Sequence, residues 1–305
     1  MTRSHAGKAA TATAGLGNSP LRCRPVTVPR AKGLDAWRVP PGKKFKLAAV
    51  DPASTPGAPA PGEKGSERKS AENATRKLRE QLRELQDRLH AEGSRSVLLV
   101  LQAMDTGGKD GTVKNVFFGV NPVAVDVHSF GVPSEEERAH DFLWRIHNRL
   151  PADGRVGIFN RSHYEDVLAV RVRNIAPKEV WEPRFAIING FESGIVSSGT
   201  IIVKVMLHIS NEEQRLRLQA RIDRPDKRWK FRVGDLEDRK LWDEYQGAYD
   251  DAIERTSTED APWFVVPADK KWYRDWAVLT IMIAVLESMD PQYPAHPELD
   301  GTVIP

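Results

Sequence analysis

Three groups of residues in this 305-residue chain have the types and spacing to do chemistry. The first is Gln102-Ala-Met-Asp-Thr-Gly-Gly-Lys-Asp-Gly111, which follows a short apolar run and precedes a helical pattern. Strand, glycine-rich turn, lysine and helix, in that order, are the context a phosphate-cradling loop requires. Glycines let backbone N–H groups close around phosphate oxygens. The N-terminus of the next helix adds partial positive charge, and Lys109 adds a full one. Gly107, Gly108, Lys109, Asp110 and Gly111 are therefore the candidate phosphate-binding residues of this loop. The spacing departs from G-x-x-x-x-G-K-[ST] twice. Ala103 stands for the first glycine, and Asp110 for the hydroxyl residue that usually ligates magnesium. Asp105 is an additional carboxylate in the loop, suited to hold a metal directly or through water.

The second group is Asn160-Arg-Ser-His-Tyr-Glu-Asp166, at the end of another strand-like run. In a P-loop fold that strand end commonly supplies an acid for the metal. Here the position is Asn160, a neutral ligand or hydrogen-bonding group. Arg161 can clamp phosphate through a planar pair of N–H bonds, and Glu165 and Asp166 add carboxylates. His163 has the chemistry of a proton or phosphoryl carrier, or of a packed residue. No second His or Cys at useful spacing accompanies it, which argues against zinc.

The third group is basic. Residues 215–232 carry eight Lys/Arg (Arg215, Arg217, Arg221, Arg224, Lys227, Arg228, Lys230, Arg232) against Asp223 and Asp226. Arg217, Arg221 and Arg224 are three or four apart, hence on one helical face. The cluster reads as a mobile cover closing cations over phosphates, or as a solvated face paired with the acidic helix after Gly234.

The elements that must position these groups alternate along the chain. A helix begins near Glu67, with Leu78, Leu82, Leu85 and Leu89 on one face, and ends at Gly93. Val97–Leu101 is an apolar run expected of a strand buried on both faces. Val123–Phe130 alternates like a strand. Ser134–Glu137 forms a capping-box signature opening a helix to about Leu150, and Val156–Phe159 is strand-like. Glu179–Val196 reads as one helix, Thr200–His208 as a strand, and Ser210–Glu213 as a second capping box. Trp263–Val266 is a last strand, followed by a helix to about Met289. This alternation predicts an α/β fold with a parallel sheet covered on both faces.

Charge divides the chain unevenly. Residues 1–64 hold 11 Lys/Arg against 3 Asp/Glu and nine of the 21 prolines, whereas the remainder holds 34 against 39. Residues 1–64 therefore read as a flexible basic tail with a Pro-rich linker, in which Trp37–Leu47 carries enough apolar side chains to dock on the domain. The catalytic domain is expected over residues 65–305, with the lid at about 211–245. A folded part with net negative charge does not indicate a general nucleic-acid-binding surface. One cysteine, Cys23, excludes an internal disulfide and fits a reducing compartment. No apolar run approaches the roughly 20 residues of a membrane helix, and the N-terminus lacks an apolar signal core. Cytoplasmic residence is expected.

Together the motifs resemble the polyphosphate kinase 2 family, over nearly the whole chain from about Leu34 to Tyr293. Met104–Gly111 resembles its Asp-containing Walker A loop, and Phe159–Val167 its Walker B region. The run Arg221-Ile-Asp-Arg-Pro-Asp-Lys-Arg-Trp-Lys-Phe231, with Asp235, Arg239 and Trp242–Tyr245, resembles its lid. The resemblance implies a P-loop kinase-like three-layer sandwich with a central parallel sheet and a helical lid. It implies phosphoryl transfer between inorganic polyphosphate and the nucleotides AMP, ADP and ATP, with Mg²⁺ or Mn²⁺, in a homodimer or homotetramer. Asp105 and Asn160 would then hold metal, and Lys109 the transferred phosphate. Arg161 would clamp phosphate and Arg221 would be the lid arginine. Arg224, Lys227 and Arg228 would bind phosphate, and Asn160 and Glu165 would serve the nucleotide. Many members have Asp at the position of Asn160 and Asn at that of Glu165. The Asn-Arg-Ser-His-Tyr-Glu-Asp form resembles a subgroup associated with AMP as well as ADP. An ATP-dependent nucleoside monophosphate kinase and a catalytically silent nucleotide-binding module remain as alternatives.

Overall fold

The computed structural model describes residues 28, 33–61 and 65–304. Cys23 and most of the basic tail lie outside the described residues. The elements run α1 (Glu67–Glu92), β1 (Ser96–Ala103), α2 (Lys109–Val116), β2 (Val125–Ser129), α3 (Glu135–Ala139), α4 (Trp144–His147) and β3 (Val156–Asn160). They continue as α5 (Ala169–Val172), α6 (Lys178–Trp181), α7 (Arg184–Ser197), β4 (Thr200–His208) and α8 (Asn211–Asp223). The chain then forms α9 (Gly234–Lys240), α10 (Trp242–Thr256), β5 (Trp263–Pro267) and α11 (Lys271–Met289).

The five strands form one parallel sheet in the order β2-β3-β1-β4-β5. Strands β1 and β4 are buried along their whole length, so their apolar runs lose water on both faces. One helical layer contains α1, α2 and α11, and the other contains α5, α7 and α10. The helix–sheet–helix layering is the expected three-layer sandwich. Because the strands are parallel, the loops after β1, β3 and β4 emerge at one edge, where ligands of open α/β sheets bind.

Local chemistry sets the boundaries. Ser66 caps α1 by accepting from the Lys69 N–H, and Gly93 closes it at φ 64°. Ser134 and Glu137 make the reciprocal capping box, but the helix stops after Ala139 instead of continuing to Leu150. His140 is extended, and the Asp141 carboxylate takes the Leu143 N–H, which competes with helix continuation. The helix read over Glu179–Val196 is likewise two pieces. Pro183 lacks an N–H and separates α6 from α7.

Residues 34–61, compositionally a linker, run across the β5 side of the domain. Val39 donates to the Trp263 carbonyl and Val265 donates to the Trp37 carbonyl, each at 2.8 Å, so this strap covers an otherwise open sheet edge. Leu34, Trp37 and Leu47 are buried. The Trp37 indole donates to the Tyr273 hydroxyl at 2.7 Å, and that hydroxyl donates to the Pro56 carbonyl at 2.6 Å. Trp37→Ala is therefore expected to destabilise the protein by about 3–5 kcal/mol. Chemical denaturation would read this directly, and a loss below about 1 kcal/mol would mean the strap is only loosely applied.

Candidate active site

The loop after β1 is shaped by backbone that few side chains tolerate. Thr106 has φ 64° and Gly108 φ 103°. A Cβ on Gly108 would sit 1.9 Å from Nη1 of Arg274, and one on Gly107 would sit 2.4 Å from the Ala103 Cβ. The loop is thus clasped from beneath by Arg274, which is buried and paired with Asp275 at 2.6 Å. Arg217 supports it from α8, donating to the Thr106 carbonyl at 3.0 Å and to the Ala268 carbonyl at 2.6 Å.

Lys109 opens α2 and folds back over the loop, its Nζ donating to the Ala103 carbonyl at 2.8 Å. Burial, followed by the charge on Arg161, lowers its pKa to about 8. Asp105 meets Arg161 at 2.7 Å. Burial alone would raise the Asp105 pKa, but Arg161, Lys109 and Arg221 outweigh it and hold the carboxyl below its ordinary value. The pairing of β1 with β3 sets this geometry, because Leu101 lies opposite Asn160 and its carbonyl accepts from the Arg161 N–H at 3.0 Å. Burial works against the charge on Arg161, yet Glu165 and Asp105 raise its pKa further above the ordinary range. The nearest Glu165 oxygen is 4.0 Å from its guanidinium.

The basic segment after α8 reaches the same place. Lys230 reaches Asp110 at 3.5 Å, and Arg221 pairs with Asp235 at 3.3 Å. The Asp235 pKa is raised, first by burial and then by the charge on Asp105. Asp238 on α9 bonds Arg173 and accepts from the Tyr245 hydroxyl at 3.2 Å. Asn160 donates to Asp110 at 2.7 Å.

Asp105, Lys109, Asp110, Asn160, Arg161, Glu165 and Arg221 therefore converge. Of the loop glycines, Gly107 donates its N–H to the Met104 carbonyl at 3.0 Å, and Gly108 caps α2. Arg224, Lys227 and Arg228 do not join them directly. Arg224 pairs with Asp226 at 2.8 Å, Arg228 donates to the Ile222 carbonyl at 2.6 Å, and the charge of Lys227 acts on Lys271. The single basic face read for Arg217, Arg221 and Arg224 is also divided. Arg217 is buried under the loop, Arg221 faces the site, and Arg224 ends the helix in solvent. His163 is 1% exposed and bonded to Glu192, which removes it from any phosphoryl-carrying role at this mouth. Asp238 and Arg173 carry no signal in the sequence, and Asp235 stands there only within the run that resembles the family's lid. Lys230 was distinguishable only as one cation in a basic run.

The donors fit a hard divalent cation. Asp105 and Asn160 offer the oxygen ligands such a cation takes, and the Asp105 carboxyl is held in its charged form by Arg161, Lys109 and Arg221. Among the described residues no group of three His, Cys, Asp or Glu could hold a metal unaided. Substrate phosphates would have to complete the shell, as Mg²⁺ sites commonly require.

A parallel sheet, a glycine-lysine loop clasped between β1 and α2, and a basic helical cover define a P-loop kinase-like fold. The chain belongs to the polyphosphate kinase 2 family, whose model matches residues 65–294. It is 54% identical over 261 residues to the AMP/ADP-polyphosphate phosphotransferase of Meiothermus ruber, covering 86% of this chain and 96% of that one. It is 44% identical over 227 residues to an ADP-polyphosphate phosphotransferase of Rhodopseudomonas palustris, covering 70% of this chain and 78% of the relative. The crystal structure of polyphosphate kinase 2 from Arthrobacter aurescens TC1 superposes with a TM-score of 0.82 at 45% identity. It covers 89% of this chain and 95% of that one.

Proposed function

We propose that this protein transfers phosphoryl groups between inorganic polyphosphate and nucleotides, accepting AMP as well as ADP. The observation that carries the reading is the convergence of Lys109, Arg161 and Arg221 around Asp105 at the carboxyl end of the sheet. Glu165 in the Asn-Arg-Ser-His-Tyr-Glu-Asp motif, and the similarity to an AMP/ADP relative, support the broader acceptor range.

Phosphoryl transfer asks for positioning and charge neutralisation more than covalent chemistry. The loop N–H groups and Lys109 would cradle the transferred group. Arg161 would bridge donor and acceptor, whose like charges otherwise repel, and Arg221 with Lys230 would close over them. Closure excludes water and limits hydrolysis. Asp105 and Asn160 would hold Mg²⁺ or Mn²⁺, which would supply charge neutralisation at phosphate oxygens. Polyphosphate binding should weaken with salt, as for other polyanions. Cytoplasmic residence and a homodimer or homotetramer complete the reading. Among the described residues no helix is long and apolar enough to cross a membrane.

The test is luminescent ATP detection with purified protein, polyphosphate, Mg²⁺ or Mn²⁺, and either ADP or AMP. ATP from ADP establishes the donor, and product from AMP establishes the wider range. No product with either acceptor from folded protein rejects the reading.

A pH dependence follows from Lys109. Its proton is held below about 8 in the free protein, against 10.5 for an ordinary lysine. Between those values the unfolded chain binds more protons than the folded one, so stability of the free protein rises with pH while its cationic site is lost. The expected profile of kcat/KM for polyphosphate is flat below about pH 8 and falls by about tenfold per unit above it. Bound phosphate favours the charged lysine, so kcat should hold to higher pH. Steady-state rates across the alkaline range check this, and a kcat/KM flat to about pH 10 contradicts it.

A further inference from the structure

Behind the phosphate-clamping turn lies a charged cluster that the proposed reaction does not use. Glu192 of α7 and Lys204 of β4 are buried to 1% and 0% exposure and meet at 2.5 Å. Glu192 also accepts from the Tyr164 hydroxyl at 2.8 Å and lies 3.2 Å from Nε2 of His163. Lys204 donates to the same hydroxyl at 3.0 Å and to the Thr256 carbonyl at 2.7 Å. The other ring nitrogen of His163 has no partner, so Glu192 alone fixes that ring by hydrogen bonding.

Stability does not by itself explain such a pair. Desolvating two charges offsets much of their attraction, and apolar residues of similar volume often serve as well or better. The turn does need support. Arg161 has φ 63°, a left-handed conformation that costs a non-glycine residue free energy and persists only where its surroundings impose it. Along Asn160–Asp166 the roles divide. Asn160, Arg161 and Glu165 face the phosphate mouth. Ser162, His163 and Tyr164 point inward with at most 1% exposure. Ser162 is tied by its hydroxyl, which accepts from Gln102 and from the Tyr164 N–H, each at 3.2 Å. The next two inward side chains end on Glu192 and Lys204.

We infer that Glu192 and Lys204 are positioning residues for the transfer reaction. Through His163 and Tyr164 they hold the turn that aims the Arg161 guanidinium at phosphate. The inference rests on the proposed function and extends it to residues with no access to substrate. A displacement of about 1 Å in such a group can cost on the order of 10²-fold in rate.

The test is the double variant Glu192→Leu/Lys204→Met of the full chain, made with Arg161 present and in an Arg161→Ala background. Both removed charges are replaced by apolar volume, but the Tyr164 hydroxyl, the Thr256 carbonyl and His163 lose those partners, so the melting midpoint is expected to fall while the variant stays folded at the assay temperature. With Arg161 present, kcat for ATP formation from ADP should fall by about 10- to 100-fold. In the Arg161→Ala background the same substitutions should have little further effect, because they act through that arginine. An equal loss in both backgrounds, or unchanged kcat beside an active wild type, overturns the inference and leaves the proposed function standing. A wild type without turnover overturns both. Should the double variant fail to fold, Tyr164→Phe, which deletes one hydroxyl, carries the same two-background comparison.

Discussion

Replacing Lys109 with alanine is expected to lower turnover by at least about 10³-fold while the fold survives. Two physical facts separate those outcomes. The ammonium is buried against the Ala103 carbonyl, and burial has already lowered its pKa to about 8, so the empty protein gains little from holding the charge there. A transferring phosphoryl group spreads negative charge over its oxygens, and a cation preorganised in a water-poor site stabilises that charge without reorganisation. Alanine is a good helix former at the start of α2, so the loop's backbone has no cause to unravel. The melting midpoint should stay within about 4 °C of wild type, which corresponds to roughly 1 kcal/mol in a domain of this size. Lys109→Arg keeps the charge but must fit a larger planar group into the same cradle, and only partial recovery is expected. Wild-type turnover in Lys109→Ala would remove the phosphate loop from the mechanism altogether.

The distance along the chain over which a cause acts decides how much of this molecule its sequence discloses. The loop after β1 and the turn after β3 are legible because the glycines and Lys109 lie within a few residues of the first strand and Arg161 directly follows the other. The layered parallel sheet is legible because β1 and β4 are apolar throughout and helices intervene. Side-chain direction on a charged helix is not legible in the same way. Spacing places Arg217, Arg221 and Arg224 together, but the carbonyls of Thr106 and Ala268 draw Arg217 inward, and both lie remote in sequence. Composition describes residues 34–61 in part. The apolar side chains of Trp37–Leu47 announce the docking that the structure shows, but not its place, an open sheet edge and a helix remote in sequence. Lys204 carries a visible signal, being a lysine inside the apolar run Ile201–Leu207. A buried ammonium must find a partner. Spacing could not name Glu192, because that residue arrives from a separate helix.

Two arginines of α8, Arg217 and Arg221, should behave oppositely when truncated. Arg221→Ala is expected to reduce kcat by about 10³-fold or more and to cost only about 1 kcal/mol of stability. Its guanidinium is one-quarter exposed and its one ion pair among the described residues, to Asp235, is 3.3 Å long, so little of the fold depends on it. Its charge nonetheless reaches Asp105 and lowers that carboxyl's pKa, which places it where phosphates would gather. Arg217→Ala reverses the balance. That side chain is buried, pairs with Glu213 at 2.7 Å and ties the carbonyls of Thr106, Ala268 and Asp269 together. Its removal leaves Thr106 and Ala268 without that donor and should destabilise the protein by about 2–4 kcal/mol. Some activity should be lost with it, because Thr106 belongs to the loop proposed to cradle phosphate. Thermal melts and single-turnover rates on the two variants make the comparison. A rate loss in Arg221→Ala that only tracks its melting midpoint would assign it a structural role. A stable, inactive Arg217→Ala would mean that the face read from spacing is the working one after all. Arg221→Lys sharpens the contrast, since it keeps the charge but loses the planar fork that can engage two phosphate oxygens at once. Recovery by lysine would mean that charge alone suffices at the lid, whereas continued loss would mean that geometry is required.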